Sequence, residues 1–87
     1  MLVVDIRDSG PFQRAHIPGA RNVPGESITL AAQGLAMERK PVVLYDRSGG
    51  EDVRKAFEAL QVVGLPAAIL KGGFLAWEAE GYSIERS

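Results

Sequence analysis

The sequence predicts a small α/β domain, a three-layer sandwich with a mostly parallel central sheet flanked by helices. Leu2-Val3-Val4, Val42-Val43-Leu44-Tyr45 and Ala67-Ala68-Ile69-Leu70 are short apolar runs. Each is continuous rather than alternating, as in strands covered on both faces of a parallel sheet. Between the last two, Val53, Ala56, Phe57, Leu60 and Val63 fall at i, i+3, i+4, i+7 and i+10, one face of a helix. Strand, helix and strand within about thirty residues form a βαβ unit with a right-handed crossover.

The elements follow in order. Leu2 to Val4 opens the sheet. Ser9 to Ala15 reads as a short helical turn, capped by Ser9, with Pro11 tolerated in its first turn. His16-Ile17-Pro18-Gly19-Ala20 is a tight turn, and Arg21-Asn22-Val23-Pro24 is extended after it. Glu26 to Arg39 carries Ile28, Ala31, Ala32 and Leu35 at near-helical spacing, weakened at Gly34. The clearest helix runs from Glu51 to Val63. Glu51 and Asp52 suit its positive dipole end, and Gly64 then Pro66 stop it. Phe74 to Glu80 is a short helix that sends Phe74 and Trp77 into the core and closes at Gly81. Tyr82-Ser83-Ile84-Glu85 alternates and predicts an edge strand. No repeat, low-complexity tract or linker interrupts residues 1–87, which read as a single domain.

Composition narrows the function. At 87 residues the chain has room for one thin core. A hydrophobic share of 46% and a mean hydropathy of −0.01 belong to a folded globule. Ten basic against eleven acidic residues leave a net charge of −1, so no bulk field recruits nucleic acid or an anionic membrane. The chain has no cysteine, which excludes disulfides, thiolate metal sites and any thiol nucleophile. A single histidine, His16, excludes a multi-histidine metal centre, and no cofactor is implied. The apolar run at the N-terminus is too short for a signal peptide or membrane span, which predicts a cytoplasmic location.

In open α/β sheets, ligands bind beyond the carboxyl ends of the strands. Here that segment is Asp46-Arg47-Ser48-Gly49-Gly50-Glu51, with Asp52 following. Two glycines let the backbone curl into a helix N-terminus, where several N–H groups can converge on an anion.

At this point the chain resembles the rhodanese-like (sulfurtransferase) domain over nearly its whole length. Val3-Val4-Asp5-Ile6-Arg7 is similar to the family's first signature. Phe12, His16-Ile17-Pro18-Gly19-Ala20 and Asn22-Val23-Pro24 follow. Val42-Val43-Leu44-Tyr45 with Asp46-Arg47-Ser48-Gly49 resembles the active-site signature, and Gly72-Gly73-Phe74-Leu75-Ala76-Trp77 with Gly81-Tyr82 the closing one. The resemblance implies a cysteine at the start of the loop, carrying sulfur as a persulfide; the residue here is Asp46. It also implies an arginine and then a serine or threonine near the loop's end; the residues here are Glu51 and Asp52. A strand and a helix usually precede the first signature, so they are expected to be missing. Apolar surface would then be left for a homodimer or a protein partner to cover.

A carboxylate cannot replace a thiolate, because sulfur transfer needs a soft nucleophile that both holds and releases sulfur. Two readings of Asp46 stay open: its carboxylate fills the anion cradle, or it is a solvated residue tolerated in the loop. A third would make it a phosphate acceptor, with Glu51 and Asp52 gathering magnesium; an outward-pointing Asp52 argues against that. The resulting expectation is a catalytically degenerate rhodanese-like module for protein interaction or regulation. The alternatives are a sulfurtransferase acting by an unusual route and an acid-lined pocket for a cation or small amine. His16 is expected to make a structural hydrogen bond, to backbone or to Asp5. Asp5 and Arg7 are expected to tie down the following loop. Arg47 is expected to pair with Glu51, meet a partner's carboxylate, or remain solvated.

Overall fold

The structure, a computed structural model, describes all 87 residues. Four strands form one sheet: β1 (Leu2–Asp5), β2 (Arg21–Asn22), β3 (Val42–Tyr45) and β4 (Ala67–Ile69). Their spatial order is β2-β1-β3-β4, and every neighbouring pair is parallel. The helices are α1 (Ser9–Arg14), α2 (Ile28–Met37), α3 (Glu51–Val62) and α4 (Gly73–Ala79), with a 3-10 turn at Gly25–Ser27 before α2.

The pleat divides each strand between two cores. Leu2, Val4, Val42 and Leu44 face α2 and α3, meeting Ile28, Ala32, Leu35, Val53, Ala56 and Leu60. Tyr45 faces the other way, against Ile17 and Phe74, with Val3, Leu70 and Ile84 packed around them. This is the expected three-layer arrangement. The continuous apolar runs arise because both faces of the central strands are covered.

Several local expectations change. The segment Tyr82–Glu85 is not an edge strand. It makes one antiparallel bridge, Glu85 with His16, in which each amide donates to the other's carbonyl at 2.8 Å. That bridge fastens the tail to the β1–β2 connection, and the Trp77 indole Nε1, donating to the Ser83 carbonyl at 2.8 Å, fastens it to α4. Alternation alone could not distinguish a strand from a strap fastened at separate points. Ser9 does not cap α1: Asp8 stands at the N-cap, and its side chain makes no capping bond either. Phe74 is buried, but Trp77 lies only half-buried, its ring 4.7 Å from Tyr82. Gly34 is accommodated on the exposed side of α2.

Candidate functional site

The β3–α3 loop occupies the place expected from the parallel sheet, at the carboxyl end of the central strand. Its path is set by the first turn of α4. The amides of Phe74 and Leu75 donate to the carbonyls of Asp46 and Arg47, both at 2.9 Å. Gly49 (φ 78°) and Gly73 (φ 61°) allow this contact. A Cβ at Gly49 would lie 2.8 Å from the Gly72 nitrogen, and one at Gly73 would lie 2.6 Å from the Asp46 carbonyl oxygen.

Inside this turn sits Asp46, only 6% exposed. The Gly49 amide donates to Oδ1 at 2.5 Å, and those of Gly50 and Val53 donate to Oδ2 at 3.3 and 3.2 Å. The carboxylate therefore takes the position of an anion in the cradle, and the solvated reading fails. The loop supplies the donors and its own first residue supplies the acceptor.

Around it opens a cleft of about 940 Å³. The loop contributes Arg47, Ser48 and Gly50, and α3 contributes Glu51, Asp52 and Lys55. Gly49 belongs instead to the contact with Gly72. Asp52 is exposed, as expected at a helix start, yet it lines the cleft rather than facing away from it. Glu51 pairs with Lys55 at 3.3 Å, not with Arg47, because the i,i+4 spacing on α3 puts the ammonium nearer. Arg47 is exposed and lies in no ion pair. No group of three or more acidic or histidine side chains is placed to hold a metal ion, so the magnesium reading has no ligand set.

The opposite wall was less legible. Arg7 does tie the next segment down: its Nη2 donates to Asp5 Oδ2 at 2.6 Å and to the Ala15 carbonyl at 2.7 Å. The same guanidinium also lines the cleft, stacked over Phe74 with Cζ 4.5 Å from the ring centroid. Burial alone would lower its pKa, but hydrogen bonding and charge from Asp5 outweigh this and raise it above the ordinary arginine value. Asp8, Arg14 and Glu26 complete the wall, and no local pattern marks them in the sequence. His16 is structural as expected, and its partner is backbone: Nδ1 lies 2.8 Å from the Phe12 carbonyl oxygen, with the two rings stacked at 3.9 Å. Asp5 bonds to Arg7 instead.

The family model described as the rhodanese-like domain matches residues 1–80. The chain is 31% identical over 80 residues to the probable adenylyltransferase/sulfurtransferase MoeZ of Mycobacterium tuberculosis, covering 88% of this chain and 20% of MoeZ. It is 33% identical over 76 residues to the uncharacterised protein YqhL of Bacillus subtilis, covering 86% of this chain and 59% of YqhL. Thus the chain spans about a fifth of MoeZ and under two-thirds of YqhL. Among solved structures, the rhodanese-like domain of the Anabaena Alr3790 protein superposes with a TM-score of 0.87 at 29% identity, covering 98% of both chains. No helix is long and apolar enough to cross a membrane.

Proposed function

The chain belongs to the rhodanese-like domain family, and from that membership we propose that it is a catalytically degenerate member, used for protein interaction or regulation rather than sulfur transfer. The observation that carries this reading is the set of three amides already bound to the Asp46 carboxylate. Two requirements of the sulfur chemistry fail together. The chain has no thiol to attack sulfane sulfur, and the donors that would hold an anionic substrate are occupied by a side chain. Glu51 and Asp52 at the cleft also repel an incoming thiosulfate. What remains for a partner is a mixed-charge cleft in which Arg47, exposed and outside any ion pair, can meet a partner's carboxylate.

The pure chain should form no thiocyanate from thiosulfate and cyanide above the uncatalysed rate. Clear turnover would overturn the reading. Asp46→Cys combined with Glu51→Arg and Asp52→Ser should recover measurable turnover, because the loop path depends on glycines and backbone bonds that these changes leave in place.

A further inference from the structure

Helix α2 has no charged residue at any of its ten positions. By contrast, α3 carries Glu51, Asp52, Arg54, Lys55 and Glu58, all exposed. The inner face of α2 (Ile28, Ala32 and Leu35) is buried. The outer face carries Thr29 and Gln33 but no charge, and it leaves Leu30 87% exposed and Met37 77%. Two large apolar side chains left in solvent on one uncharged helix face mark a surface suited to contact with another body.

Leu30, Gln33, Gly34 and Met37 form one stripe by the i, i+3, i+4, i+7 rule. The stripe is symmetric about its middle, with Leu30 three positions before Gln33 and Met37 three after Gly34. A Cβ at Gly34 would have no neighbour within 4 Å, so the middle is a notch open to solvent. The ends have opposite charge. Glu26 is exposed just before the helix; just after it Glu38 is bound by Arg21, which leaves Arg39 and Lys40 exposed and free of that pair.

We propose that this face is a self-association surface, on which two copies of the chain pair through α2, antiparallel, about a two-fold axis between Gln33 and Gly34. In that arrangement Leu30 of one copy meets Met37 of the other. The Gly34 notch lets the helix axes approach, and Glu26 of each copy lies toward Arg39 and Lys40 of its mate. The end charges select this occupant and this direction. A parallel pair would set like charges together and align the helix dipoles, whereas the antiparallel pair opposes both. A ten-residue helix is about 15 Å long, so the interface falls at the small end of specific contacts and the dimer is reversible. The α2 stripe itself lies outside the Asp46 cleft, the proposed surface sharing only Glu26 with the cleft wall, and self-association does not depend on whether the cleft is catalytic.

Sedimentation velocity over a concentration series tests this directly. The weight-average mass should rise from the 9.4 kDa of one chain toward twice that value. Leu30→Glu and Met37→Lys should each hold the chain monomeric. The double variant should dimerise again, because each new glutamate then faces a new lysine of the other copy. Gln33→Glu, which sets two like charges beside the axis, should also weaken the dimer, and it alters a side chain that is already exposed. Circular dichroism melts would establish that each variant is folded. A wild-type chain monomeric throughout, single variants that still dimerise, or a double variant as monomeric as the singles would each overturn the proposal.

Discussion

Asp46 brings a carboxylate into a site only 6% exposed, and three backbone amides converge on it there. An unpaired buried carboxylate would be strongly unfavourable, while bonds from N–H groups to a charged acceptor contribute about 1.5–3 kcal/mol each. Asp46→Ala leaves those amides without an acceptor. The expected loss is about 2–4 kcal/mol in urea unfolding, less than the sum of three bonds because water and loop relaxation recover part. Added sulfate should raise the melting temperature of this variant more than that of the wild type, since the vacated cradle can take an oxyanion. Equal shifts in both proteins would show that Asp46 does not fill the cradle. His16 shows the opposite case. The lone imidazole of the chain, it bonds to the Phe12 carbonyl and stacks on the Phe12 ring, and no nucleophile stands beside it.

At the scale of elements, the site is a joint between β3, its loop and the start of α4. The joint closes only if position 73 has no side chain. Gly73→Ala would force a Cβ to 2.6 Å from the Asp46 carbonyl oxygen at a φ of 61°, and both effects are unfavourable. A cost of roughly 1–3 kcal/mol is expected from the strained backbone, with loosening of the loop visible as faster amide exchange at Gly49 and Val53. Unchanged stability and exchange would mean that the loop path does not depend on this contact. The α3 side of the joint was legible in sequence, because a 3.6-residue apolar period reports a buried helical face. The reading overran at one position: Leu60 is fully buried, but Val63, placed on the same face, lies past the helix end at Val62 and is exposed. The tail was not legible. Tyr82 to Glu85 has the alternation of a strand, but its bonds go to His16 and Trp77 and not to a sheet edge.

Across the whole molecule, Tyr45 links the sheet to the layer on its far side. It is fully buried, and its hydroxyl accepts the Ile17 amide at 3.1 Å. Burial first, then the nearby Asp5 carboxylate, push its phenol well above the ordinary value of 10.0, against smaller opposing effects from Ile17 and Arg7. A folded-state pKa raised above the unfolded one stabilises fully below the unfolded value and less as pH rises past it. The melting temperature should therefore fall as pH climbs beyond 10.0. Tyr45→Phe should start lower at neutral pH, because the Ile17 amide loses its acceptor, and then fall less steeply. Parallel curves for the two proteins would show that another group governs alkaline stability.

The linear order of residues was enough to determine the parallel α/β layering, the loop after the central strand as the place for a site, and the lack of a thiol to act there. These follow from residue type and from periodicities that each element carries within itself. The tertiary structure decided that Asp46 turns inward to its own loop amides, that Arg7 stacks on Phe74 as a wall of the cleft, and that α2 leaves Leu30 and Met37 in solvent. Each of those depends on segments distant in sequence meeting in space. The loop bends as it does because the α4 turn donates to its carbonyls, and Phe74 and the α4 turn come near only when β4 pairs with β3. Local pattern predicts that a residue is buried; which donor or ring it meets there is settled by the packing of the whole chain.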